Sequence, residues 1–110
     1  MTKVSDNKQC LFLGTELKLN ININPIGDIT MDDYEFIVEA YCFQKKVLTI
    51  HKQEAIRVDE NNYIIRVDTS QVGPGDLKCK VTAHIPDGDF EDGLRTEVVV
   101  INTNINILAV

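Results

Sequence analysis

The sequence predicts an all-β sandwich, and three observations predict it. Hydrophobicity alternates with a period of two along Leu17–Ile23, where Leu17, Leu19, Ile21 and Ile23 interleave with Lys18, Asn20 and Asn22. It alternates again along Leu77–Ile85, where Leu77, Cys79, Val81, Ala83 and Ile85 interleave with Lys78, Lys80, Thr82 and His84. Successive side chains of a strand point to opposite faces, so this is the pattern of a strand with one face in a core. Helical spacing, by contrast, is absent over any useful length, and Gly, Pro, Asn and Asp break the chain at short intervals. Short strands separated by such turns fit a sandwich better than an open sheet. The expected fold is an immunoglobulin-like β-sandwich of about seven to eight antiparallel strands.

The remaining elements follow in chain order. Pro25 ends the first strand, and Ile26–Asp33 reads as a loop. Tyr34–Phe43 is a strand with Phe36, Val38, Ala40 and Cys42 on one face. Its other face carries Glu35, Ile37, Glu39, Tyr41 and Phe43, so that face turns apolar in its second half. Gln44–Lys46 reads as a hairpin tip before a strand at Val47–His51. Ala55–Val58 and Tyr63–Val67 form a pair of strands joined by the polar turn Asp59–Asn62. Asp68–Asp76 is punctuation, since Gly73-Pro74-Gly75 lacks a donor and weakens any ladder. After Leu77–Ile85 come an acidic loop, Pro86–Gly93, a strand at Arg95–Ile101, and a last strand at Ile105–Leu108. Asn20–Asn24 and Asn104–Ile107 echo one another, which reads as two half-exposed strands rather than a repeat.

Composition narrows the classes. A chain of 110 residues, 44% apolar and 25% charged, is one domain (1–110) able to bury a core, with residues 1–10 a candidate disordered stretch. The net charge of −6 repels phosphate backbones and anionic lipid, so neither nucleic acid nor membrane is an expected partner. Leu11–Leu13 is far too short for the apolar region of a signal peptide, so the chain is expected to stay in the host cytoplasm where it is translated, unless it leaves as part of an assembly. The three cysteines, Cys10, Cys42 and Cys79, are expected to be reduced thiols; Cys42 and Cys79 fall on core faces. A bridge between those two, by analogy with the sheet-spanning disulfide of antibody domains, is the lesser reading.

Candidate chemistry is sparse. Asp87, Asp89, Glu91 and Asp92 crowd one loop and are the weak candidates for calcium ligands, but Val98 stands where an EF-hand loop needs its bidentate glutamate. A solvated turn is the expected reading, and no metal or cofactor is assigned. His51 and His84 sit singly in strands, without a neighbouring nucleophile or ligand spacing. No catalytic residue is assigned, and the chain is not expected to be an enzyme. What remains is surface: Ile37, Tyr41 and Phe43, together with the run Val98–Ile101, put apolar groups on both faces of strands. Either a neighbouring segment covers them or they are a subunit contact; on the second reading Ile37, Tyr41, Phe43 and Val99 are the interface residues.

A resemblance adds a functional expectation. Leu17–Ile23, Met31–Phe36, Ile56–Asp59 with Asn62-Tyr63, Asp68-Thr69 leading to Gly73-Pro74-Gly75, Leu77–Ala83, Ile85–Asp87 and Asp92–Glu97 carry it. Together these stretches look like small proteins encoded in prophages and conjugative-type elements of Bacteroides-like bacteria. More remotely they resemble the immunoglobulin-like N-terminal domain of tailed-phage baseplate upper proteins. The likeness spans roughly residues 11–107 and rests on structural motifs, so it transfers no site residue. It implies a non-enzymatic structural or protein-interaction module in a virion tail or baseplate, whose partners are other virion proteins or itself as a homo-oligomer. The alternative is a ligand-binding module for carbohydrate or calcium that uses loops at one end of the sandwich.

Overall fold

The computed structural model describes residues 9–23, 35–43 and 47–109. The expected loop Ile26–Asp33 and the hairpin tip Gln44–Lys46 lie outside these residues, as do Met1–Lys8 of the candidate disordered stretch. Gln9 and Cys10, the rest of that stretch, belong to a strand. The strands are β1 (Gln9–Phe12), β2 (Glu16–Asn22), β3 (Glu35–Tyr41), β4 (Val47–His51), β5 (Ile56–Arg57), β6 (Asn62–Asp68), β7 (Gly75–Pro86) and β8 (Leu94–Leu108). One sheet has the order β1-β8-β7-β3-β4, and the other β2-β6-β5. Two sheets of five and three strands make the all-β sandwich the sequence predicts.

The alternating stretches became strands whose apolar faces meet. Ile21 of β2, Tyr63, Ile65 and Val67 of β6, Phe36, Val38 and Ala40 of β3, Ile50 of β4, and Leu77, Cys79, Val81, Ala83 and Ile85 of β7 belong to one buried cluster. Phe36 and Tyr63 join the sheets edge to face, with ring centroids 4.9 Å apart at 70°. Cys79 is fully buried within the same cluster. All three cysteines are free, so no bridge spans the sheets.

Three features depart from the expected pattern. First, β1 is a strand that the sequence does not announce. It pairs in parallel with the end of β8, Gln9 opposite Ile105 and Phe12 opposite Leu108, in a sandwich whose other ladders are antiparallel. Second, Arg95–Ile101 and Ile105–Leu108 are not separate strands. They are one strand, β8, interrupted by an irregularity: Asp76 faces Asn106 and Lys78 faces Asn102, so β8 carries extra residues there. Asn104 takes φ of 64° to accommodate them, while the Thr103 hydroxyl donates to the Leu77 carbonyl at 2.8 Å. Third, Gly75 of the expected turn is already the first residue of β7.

One buried polar residue ties the two sheets at their shared end. Between β1 and β2 the chain crosses from one sheet to the other through Leu13–Thr15, with Gly14 at φ of 102°, a conformation open to glycine. The Gly14 N–H donates to the Thr69 hydroxyl at 2.8 Å, and the Thr69 N–H donates to the Thr15 carbonyl at 3.1 Å. Thr69 has no exposed surface. It opens a short 3-10 turn, Thr69–Gln71, for which the Asp68 carboxylate accepts the Ser70 N–H and hydroxyl.

Candidate interaction surface on strand β8

The hairpin β7–β8 fixes where each candidate residue points. Val81 pairs with Val99, and Val81 is in the core. Val99 therefore shares the inward side of the five-stranded sheet with Arg95, Glu97 and Ile101. Val98 and Val100 pair with Thr82 and Lys80 on the outward side. The outward face then reads in rows across the sheet: His51, Ile37, Thr82 and Val98 in one, and Val47, Tyr41, Lys78 and Asn102 in another. Between them runs the row Thr49, Glu39, Lys80, Val100.

The four expected interface residues thus divide. Ile37 and Tyr41 lie half-buried on the outward face. Phe43 lies past the end of β3, with its ring over Gly75; a Cβ at Gly75 would sit 2.9 Å from the Phe43 Cε2 atom, and φ there is 126°. Val99 is on the opposite side, lining a cavity of about 110 Å³ with Asn22, Ile23, Val81, Ala83, Glu97 and Ile101. Val98 and Val100, its neighbours in the run, are the members that join the outward face. No periodicity along Val98–Ile101 separates them, so only the ladder to β7 reveals the division.

The degree of exposure is the notable feature. Val98, Val99 and Val100 are 53%, 55% and 56% exposed. Inward-pointing Val99 is as open as its outward neighbours, although Asn22 and Ile23 at the end of β2 border the same small cavity. Among the described residues, no strand pairs with Leu94–Asn104 on the side away from β7; β1 covers β8 only from Ile105 on. From Val98 to Val110 the chain carries no charged side chain.

The acidic loop closes on itself. Both Asp87 oxygens are engaged: one accepts the Asp89 N–H at 3.0 Å, and the other the Arg95 Nε–H at 3.1 Å. Asp92 accepts the Leu94 N–H at 3.2 Å. Arg95 also reaches Glu97 at 2.7 Å, and these carboxylates, Glu97 first, raise its pKa and hold its charge. Among the described residues, no three His, Cys, Asp or Glu side chains converge as metal ligands would. His84 Nδ1 lies 3.2 Å from the Thr96 hydroxyl, and His51 is exposed on the edge strand β4, its N–H donating to Glu54 at 2.9 Å. Burial pushes the Cys79 thiol up to about 11, and burial followed by the nearby Asp76 charge raises that of Cys42. A raised thiol pKa is the reverse of what a nucleophile needs.

A larger cleft, about 430 Å³, opens between β4 and the β2–β6 pair, lined by Leu17, Leu48, Ile50, Lys18, Arg66 and Glu54 among others. No sequence pattern marks it, and its charges are mixed. No helix among the described residues is long and apolar enough to cross a membrane. Comparison of the chain with family models, with curated proteins and with solved structures finds no match.

Proposed function

We propose that the chain is a non-enzymatic interaction module, a component of a phage or prophage virion tail or baseplate, that works by protein–protein contact through β8 and the outward face beside it. One observation carries the contact: three consecutive valines on a sheet edge, each more than half exposed, with no charged residue among them. Sheet edges are ordinarily blunted by lysine, proline or a covering element, because an open apolar edge pairs with other chains. Among the described residues no lysine, proline or covering strand stands at Val98–Val100. The virion assignment rests on the family resemblance described above.

Particle incorporation tests this reading. In the host that carries the gene, the protein is expected to co-sediment with tails after induction. Val98→Lys/Val100→Lys is expected to lose that association while keeping its circular dichroism and melting temperature. A protein that stays out of the particle fraction would overturn the virion reading. Calcium distinguishes the ligand-binding alternative, because a bound cation would have to displace the bonds that Asp87 and Asp92 now make. A rise of several degrees in melting temperature at millimolar calcium would favour it.

A further inference from the structure

We infer that Asp92–Gly93 is a site of spontaneous covalent modification, the isomerisation of aspartate to isoaspartate. The loop between β7 and β8 directs that reaction to Asp92 and away from Asp87. The inference stands apart from the interaction reading above. The chain has two Asp-Gly steps, Asp87-Gly88 and Asp92-Gly93, and both lie in this loop. Glycine is the most permissive successor for the reaction, because no side chain shields its backbone nitrogen. Both glycines are exposed, and a Cβ built on either would meet no atom within 4 Å.

The chemistry is a ring closure followed by hydrolysis. The Gly93 nitrogen attacks Cγ of the protonated Asp92 carboxyl. An N–Cγ bond forms, the bond from Cγ to the hydroxyl oxygen breaks, and that hydroxyl leaves as water with the amide proton. Water then adds to the resulting succinimide at the former main-chain carbonyl of Asp92 and breaks its bond to nitrogen. The chain now runs through Cβ and Cγ, one methylene longer, and the α-carboxylate hangs free. One water is lost and one regained, so no co-reactant is needed.

The two steps differ in what must be broken first. Asp87 is half-buried, and both its oxygens are engaged, one by the Asp89 N–H at 3.0 Å and the other by Arg95 Nε at 3.1 Å. The second is a charge-assisted bond, the stronger kind, and it must break before the carboxyl can turn onto the Gly88 nitrogen. The main chain of Asp87 is pinned as well: its N–H donates to the Gly93 carbonyl at 2.9 Å, and its carbonyl accepts the Phe90 N–H at 3.2 Å. Asp92 is exposed and accepts one bond, from the Leu94 N–H at 3.2 Å; among the described residues no cation pairs with it. The attacking Gly93 N–H donates to the Phe90 carbonyl at 2.9 Å. Opening of that bond in an exposed turn sets the rate, and such turns open at little cost.

Incubation of the full chain at physiological temperature and mildly acidic pH tests this. Proteolysis and electron-transfer fragmentation then distinguish isoaspartate from aspartate, which have equal mass. Isoaspartate should accumulate several times faster at Asp92 than at Asp87 in the native protein, and at comparable rates in urea, where only the local sequence acts. Arg95→Gln, checked by circular dichroism to be folded, should speed the reaction at Asp87 and leave Asp92 unchanged. Asp92→Glu, whose longer side chain does not close the five-membered ring readily, should abolish the product at that step. Native protein that forms none at Asp92, or as much at Asp87, overturns the inference. A folded Arg95→Gln protein with an unchanged ratio overturns the ion pair as its cause.

Discussion

β7 and β8 are two sides of one hairpin, hydrogen-bonded along most of their length, yet their inward faces have opposite fates. On β7, Leu77, Cys79, Val81, Ala83 and Ile85 are all essentially inaccessible. Directly across the ladder, Val99 is more than half exposed, and Arg95 and Glu97 bond to one another in partial contact with water. The residues are comparable in apolarity at Val81 and Val99, so hydrophobicity does not decide their burial. Position in the sheet does. β7 lies between β8 and β3, whereas along Leu94–Asn104 no described strand pairs with the far side of β8. This sandwich therefore builds its core and its most exposed apolar edge from adjacent strands.

The comparison can be broken most directly by truncation. Ile85→Ala removes a fully buried side chain and should cost about 2–5 kcal/mol, whereas Val99→Ala at an open site should cost below about 0.5 kcal/mol in the monomer. Chemical denaturation measures both, and equal losses would mean that the open edge of β8 is part of the core. A smaller effect is expected at Thr69, which belongs to the covered end of the molecule. Thr69→Val keeps the shape but takes the acceptor from the Gly14 N–H, at a cost of about 1 kcal/mol, the net worth of one hydrogen bond. Thr69→Ser should recover most of that loss; if Thr69→Val is neutral in the same denaturation assay, the tie between the sheets is not one.

Thiol chemistry sharpens the same contrast without changing the fold. Cys10 is exposed, Cys42 half-buried, and Cys79 buried with its pKa pushed to about 11. Native protein should react with a thiol reagent first at Cys10 and last at Cys79, which should wait for unfolding. Counting modified sites by mass spectrometry against time checks this order, and prompt reaction at Cys79 would show that the covered strand opens readily.

The smallest expected effect is in acid. Hydrogen bonds from Ser70 lower the pKa of Asp68, and those from Asn61 and Asn62 lower that of Asp59. A carboxylate whose pKa falls on folding contributes stability above its unfolded value, and loses it as pH drops through the folded one. The protein should therefore lose a little stability below the ordinary aspartate range. Both groups are exposed, so the loss should be slight, and Asp68→Asn should flatten it. Thermal melts between neutral pH and pH 3 measure it, and a rise in stability on acidification would contradict the sign.

Much of this fold was legible in the sequence for one physical reason: where a strand has one wet face and one dry face, alternation records both. Leu17–Ile23 and Leu77–Ile85 are such strands, and they lie in opposite sheets as expected of a sandwich. β1 left no trace, because its four residues are mostly exposed and its partner is the far end of the chain. The unity of β8 was hidden for a different reason. Asn102-Thr103-Asn104 reads as a turn, yet here side-chain bonds from Asn102 and Thr103 to the next N–H groups carry the strand through a bulge. The candidate surface was half legible. Val98–Ile101 stands out as a run, but an unbroken apolar run has no periodicity to say which member faces which way. The register with Val81 supplies that, and it separates Val99 from Ile37 and Tyr41.

The parallel pairing of β1 with the end of β8 has a mechanical consequence. β1 is the first described strand and β8 the last, and because the two run the same way, the start of β1 and the end of β8 lie at opposite ends of one short ladder. Tension applied on either side of the domain pulls the two strands past each other along their length. The pairs from Gln9–Ile105 to Phe12–Leu108, and the Leu13 N–H to Leu108 carbonyl bond beyond them, are then loaded together in shear. An antiparallel pair in that place would have opened from one end, a bond at a time.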